Sequence, residues 1–230
     1  MSALAILASC AGATAIASDN QPQSIRVIEV AGNGQANGTP DTASLSVEIE
    51  THATTAEETS SQNAALAEKV MAALKSKLGD KGKITTSGYS LTPDYSEHPG
   101  RDKPTIVGYN AQNSIEVETG AMDLLGALID SAIGAGANRI NYLNFSLKED
   151  TKTRTEAIAI ASRDAQAQAQ ALAAALGVKL KRIIKASTVT EPRPMPVYGV
   201  SAMAMGRAAT PVEPQEITVP ATVSLTYEIE

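Results

Sequence analysis

Tryptophan is absent from this chain, phenylalanine occurs once, at Phe145, and aromatics make up only 3% of the residues. Any core must therefore be aliphatic, built from Ala, Val, Ile and Leu. The rings that single-stranded nucleic acid needs as stacking platforms are missing too. No long basic run offsets the net charge of −6, so the electrostatic footprint of a nucleic-acid binder is absent, and nucleic acid is excluded as a partner. Cysteine occurs once, at Cys10, inside an apolar run where it is no credible nucleophile. Only two histidines exist, His52 and His98; neither belongs to an H-x-x-x-H pair or lies near a Cys, and both read as solvated surface residues rather than zinc ligands. G-x-S-x-G does not occur, which removes support for a nucleophile-elbow hydrolase. What remains is a chain of 230 residues, 43% hydrophobic and 19% charged, a composition that suits one or two globular domains.

The first residues, "MSALAILASCAGATAIAS", carry no charge. The run is short for a bilayer span but long enough for a signal-peptide core, and Ala15–Ala17 has the A-x-A form of a cleavage site. A basic n-region is missing. Within the same run Leu7–Cys10 has the form of a lipobox, whose Cys10 becomes the lipidated first residue, although few residues precede it. A plain signal over residues 1–17 is the favoured reading, ahead of the lipobox and of a short buried helix, with 18–23 as linker. Cleavage after Ala17 leaves no cysteine, consistent with an oxidising periplasm in which disulfides play no part.

Beyond residue 24 the pattern alternates between strands and helices. "SIRVIEVAGNGQ" starts as a strand and ends in glycine-rich turn chemistry. Across "TPDTASLSVEIETHA" the residues Ala43, Leu45, Val47 and Ile49 point one way and Thr42, Ser44, Ser46, Glu48 and Glu50 the other, the period of a half-buried strand. A helix follows, with capping-box spacing at Thr54 and Glu57, an apolar stripe of Ala67, Val70, Met71, Leu74 and Leu78, and Gly79 as C-cap. "GKITTSGYSLTPDYS" and "PTIVGYNAQNSIEVETG" read as a strand pair joined by a tip rich in Pro, Asp and Gly. A helix over 121–135 links to a strand with Leu143, Phe145 and Leu147 on one face. A long Ala-rich helix comes next, with Ile158, Ala161, Ala165, Leu172 and Leu176 at helical spacing. "VKLKRIIKASTVT" and "QEITVPATVSLTYEIE" are strands, and Pro220 marks the last as an edge strand or the site of a bulge. Strand–helix–strand–strand thus occurs over 41–119 and again over 138–230. The fold class is α+β: duplicated βαββ units forming a mostly antiparallel sheet covered by helices.

Three motifs bear on function. "GNGQANG" (32–38) nearly mimics a dinucleotide fingerprint, but Asn37 stands where the third Gly belongs and a strand follows instead of a helix, so a tight turn between strands is expected. Glu48 and Glu50 lie on a strand's polar face, where solvation is the ordinary outcome; paired-carboxylate chemistry has no support. The tract "EPRPMPVYGVSAMAMGRAATPVEP" within loop 191–214 holds Met195, Tyr198, Met203 and Met205. Thioethers suit Cu(I), but these methionines are spread out with no His among them. Contact with a partner or a membrane, or a plain connection, are the other readings of this interaction loop. No catalytic residue, cofactor or metal ligand is assigned.

Taken together, "VAGNGQANGTPDTASLSVEIE", the G-Y step in "TIVGYNAQNSIEV", the helix and strand of "RTEAIAIASRDAQAQAQALAAALGVKLKRIIKAS", and the Pro/Met tract resemble the SIMPL-domain family. The likeness runs over residues 24–230 and is strongest to its periplasmic immunogenic subgroup. The resemblance implies an exported bacterial protein of duplicated βαββ arrangement, linked to oxidative-stress defence and, in one subgroup, assembled into ring-like oligomers. It supplies no catalytic residues. The expectation is a non-enzymatic periplasmic protein, soluble or lipid-anchored through Cys10, that forms a homo-oligomer or contacts an envelope protein or membrane. The alternative is a periplasmic copper-handling or redox-protective protein using the Met-rich loop.

Overall fold

Alternating burial organises the strands of the computed structural model, which describes residues 25–96, 104–189 and 212–230. In chain order the elements are β1 (Val27–Gly38), β2 (Thr42–Ala53), α1 (Ala56–Leu78), β3 (Gly82–Tyr95), β4 (Ile106–Thr119), a 3-10 turn at Met122–Leu124, α2 (Leu125–Ala135), β5 (Arg139–Ser146), α3 (Thr151–Leu176), β6 (Leu180–Val189) and β7 (Ile217–Ile229). The class is α+β, and strand–helix–strand–strand occurs twice, as the alternation of periods predicts. Hydrogen bonding adds what periodicity cannot supply. The strands form two antiparallel sheets, β3–β4–β2–β5 and β1–β7–β6. β5, which opens the second repeat in chain order, joins the first sheet beside β2. β1 takes the corresponding place in the second sheet, against β7.

In the first unit, α1 begins at Thr55, whose hydroxyl accepts from the Glu58 N–H at 3.3 Å, one residue beyond the expected Thr54 and Glu57. It ends at Gly79, where φ is +56°, a left-handed conformation that favours glycine. Val70, Leu74 and Leu78 of α1 are buried with Leu45, Val47 and Ile49 of β2, Ile115 and Val117 of β4, and Leu128, Ile129 and Ala132 of α2. Each Val, Leu and Ile among them contributes about 1.5–3 kcal/mol through loss of contact with water. Polar groups under the helix are mostly paired: the fully buried Asn63 donates to the carbonyls of Ile49 and Ala111 at 2.9 and 3.0 Å.

The second unit has a separate core made of smaller side chains. Ala157, Ala161, Ala165, Ala169 and Ala173 of α3 recur every four residues and are buried against Ile28, Val30, Val223, Leu225 and Tyr227. Leu172 and Leu176, expected in this stripe, are 41% and 59% exposed. The helix is rotated so that its smallest residues face the sheet. The reason lies in β1. A Cβ added at Gly32 would stand 2.2 Å from the Ala161 carbonyl oxygen and the Ala165 nitrogen, and one at Gly34 would stand 2.2 Å from the Ala157 oxygen. The helix backbone rests directly on the strand, an approach only glycine opposite alanine permits. "GNGQANG" is therefore the second half of a strand paired with β7 along its whole length, not a turn. β7 likewise lies in the middle of its sheet. Pro220 pairs with Gln35 of β1, beyond the last β6 partner, Val189 opposite Thr222, so the missing N–H falls where the described sheet is two strands wide.

Candidate functional site

The first sheet is covered by helices on one face, and its other face carries the densest polar chemistry among the described residues. Glu48 of β2 is only 7% exposed, a correction to the solvated role expected from its place on a polar face. A buried carboxylate is costly unless paired, and Glu48 is held by three neighbours. The Arg139 guanidinium donates to it at 3.1 Å, and the Ser114 hydroxyl and the Asn141 amide each donate at 3.2 Å. Asn141 reaches it because the β2–β5 register shifts between Ser46 and Val47, a bulge that leaves Asn141 without a partner across the strands and turns its side chain onto the sheet face. Arg139 also lies 3.4 Å from Glu50, which accepts from the Asn110 amide. Tyr142 donates to Glu116 at 3.0 Å. The Oδ1 atoms of Asn110 and Asn144 are buried with no protein donor among the described residues.

At the end of the same face, His52 Nδ1 lies 2.8 Å from Asp94, so this histidine is ion-paired when protonated rather than merely solvated. Gly108 makes room for it: a Cβ there would stand 2.6 Å from the imidazole. Chemically this is a network of carboxylates paired with donors on one face of the sheet. Among the described residues no group of three or more His, Cys, Asp or Glu is placed to hold a metal ion. On the helix side, an open apolar groove of about 350 Å³ runs between α1 and β3, lined by Ala67, Met71, Lys75 and Thr86 among others.

Exposed apolar side chains gather on two edge strands. β3 and the adjoining end of β4 present Tyr89, Leu91, Tyr95, Ile106 and Val107, and β6 presents Ile183 and Ile184. The expected interaction loop, Met195, Tyr198, Met203 and Met205, lies outside the described residues, as do Cys10, Ala17 and His98. Sequence reasoning found the polar face but not the burial of Glu48, whose partners come from β4 and β5 and depend on register. It also missed the exposure of β3 and β6, since a strand's place at a sheet edge is set by pairing. No helix among the described residues is long and apolar enough to cross a membrane.

An α+β chain of two small antiparallel sheets, one with two helices on a face and the other with an alanine helix seated on glycines, defines the class, and comparison with known proteins places it. The SIMPL family model, described as "Protein of unknown function (DUF541)", matches residues 28–227, and the chain belongs to this family. Its sequence is 28% identical to the 26 kDa periplasmic immunogenic protein of Brucella melitensis, over 88% of this chain and 84% of that protein. It is 26% identical to the uncharacterized protein YggE of Escherichia coli, over 53% of this chain and 49% of YggE. A solved structure of AtUAH in complex with glyoxylate overlaps 61% of this chain and 35% of its own at a TM-score of 0.28 and 12% identity, too distant for argument.

Proposed function

We propose that this chain is an exported, non-enzymatic protein of the bacterial envelope that works in the periplasm by self-association and partner binding, and contributes there to defence against oxidative stress. The observation that carries the reading is the pair of edge strands, β3 and β6, each presenting apolar side chains to solvent beside main-chain groups that no other strand pairs among the described residues. Such edges are templates for pairing with another chain, and native proteins normally blunt them. The whole-chain likeness to a protein named as periplasmic supports the compartment. Met195, Tyr198, Met203 and Met205 belong to the same reading as adaptable apolar contacts between subunits.

Light scattering on the mature protein at micromolar concentration tests the assembly. The expected mass is a multiple of the monomer, reduced by deletion of residues 195–208; a strict monomer overturns it. Intact mass of the native protein fixes the export route, by showing cleavage after Ala17 or lipidation at Cys10. Survival of a deletion strain under peroxide tests the protective role, and survival equal to the parent's overturns it.

A further inference from the structure

β6 differs from the other strand edges among the described residues. Its sequence is LKRIIKASTV, and Lys181 through Thr188 are all exposed. Four cations, Lys179, Lys181, Arg182 and Lys185, fall within seven residues of a chain whose net charge is −6. Glu228 of β7 takes Lys181 at 3.7 Å and Arg182 at 2.8 Å, while Lys179 and Lys185 form no ion pair among the described residues. Register sorts the side chains by face. Ile183 stands opposite Tyr227 and Ala186 opposite Leu225, both on the helix-facing side of β7; Lys185 stands opposite Thr226 on the other side. α3 lies over β1 and β7 and scarcely reaches β6, which leaves Ile183 and Ile184 50% and 41% exposed.

The remaining edges are guarded or lack this charge. On β1 the Asn33 N–H is taken by Asp164 of α3 at 2.9 Å. β5 is short, at 8 residues, and bulged at Asn141. β3 carries one cation, Lys83, and two register shifts along its length.

We propose that the outer edge of β6 is a docking site for an extended protein segment alternating acidic and apolar residues, taken up as a fourth strand beside β6. The main-chain ladder supplies affinity, and alternate side chains supply selection. Acidic residues of the added strand face Lys185 and its neighbours, while its apolar residues continue the layer of Ile183 and Ala186. The charge of the edge sets the sign of the partner, and its main chain, unpaired by any other strand among the described residues, sets the class, since a lipid surface leaves those N–H and C=O groups without a backbone partner. This inference rests on the reading that the protein acts through its strand edges, and names what one edge takes.

The test is titration of a fluorescein-labelled ten-residue Glu–Val alternating peptide against the full chain, followed by anisotropy. Three comparisons accompany it: a Lys–Val peptide, a Glu–Val peptide N-methylated at alternate residues, and the Lys179→Glu/Lys185→Glu variant. Binding of the Glu–Val peptide is expected, weakened about tenfold or more in the variant and lost for both altered peptides. The variant reverses two exposed charges with no described partner, and circular dichroism matching the parent confirms its fold. No binding, equal binding of the Lys–Val peptide, or binding that survives N-methylation overturns the proposal. A monomeric protein that still binds the peptide overturns the self-association reading alone and leaves the docking site standing.

Discussion

Glu48 shows how much a single residue's meaning depends on what is laid beside it. On its own strand it is one of several polar residues facing away from the core; in the sheet it is a buried acceptor shared by Arg139, Ser114 and Asn141. Removing the carboxylate takes away its hydrogen bonds to the half-buried Ser114 and to the exposed Asn141 and Arg139; at about 0.5–1.5 kcal/mol per bond, with water replacing part of the loss, the net cost is about 1–3 kcal/mol. Glu48→Ala is therefore expected to destabilise by that amount in urea unfolding. Glu118→Ala, at an exposed position of β4, is expected to stay within about 0.5 kcal/mol of the parent. Equal effects would show the network to be ornamental. The glycines of β1 make the opposite kind of demand, for absence of side chain. Gly32→Ala forces a Cβ to within 2.2 Å of two backbone atoms of α3. Neither backbone atom can swing aside as a side-chain tip can, so a loss at or above the upper end of the about 1–3 kcal/mol typical of overpacking is expected.

At the scale of elements, α3 is the instructive case. Helical spacing correctly marks the segment as a helix, yet the face chosen by large apolar residues is not the face that is buried. Leu172 and Leu176 outrank alanine on any hydrophobicity scale, and they point away from the sheet because the strand beneath them has no Cβ at Gly32 and Gly34 to hold a larger residue off. The fit between a four-residue alanine repeat and a glycine-bearing strand is a property of the pair, and neither partner displays it alone. Consequently Ala161→Leu is expected to unfold the second unit at markedly lower denaturant. Leu172→Gln and Leu176→Gln should leave the midpoint within about 0.5 kcal/mol of the parent. A large loss from either glutamine would restore the leucines to the core. By contrast the apolar faces of β2, α1 and β7 were legible, since each is set by the element's own alternation or stripe. Pairing partners, sheet edges and the bulge at Asn141 were not, because each depends on residues far apart in sequence.

The whole molecule is two cores on one interrupted thread. β1 starts the second sheet, the chain then builds the entire first unit from β2 to β5, and only afterwards returns through α3, β6 and β7 to finish what β1 began. The two crossings are fastened to each other at Asp41. Its N–H donates to the Ser146 carbonyl at 3.2 Å, and its carboxylate accepts from the Lys148 N–H at 2.6 Å. Val212, ahead of β7, packs on the first core. Each unit therefore has its own apolar cluster, and among the described residues the hydrogen bonds at Asp41 and the Val212 side chain link the two. Cooperative unfolding follows shared burial, so units with separate cores are expected to open as separate steps. Scanning calorimetry should resolve two transitions, or a van't Hoff enthalpy below the calorimetric one. Leu74→Ala, which opens a cavity costing about 2–5 kcal/mol in the first core, should lower one transition by about 4–8 °C per kcal/mol. Gly32→Ala should lower the other. If both variants shift a single transition as a whole, the clamp at Asp41 couples the units more strongly than its hydrogen bonds suggest. Asp41→Ala should then split that transition in two; one that stays whole in this variant as well would mean the two cores melt as one.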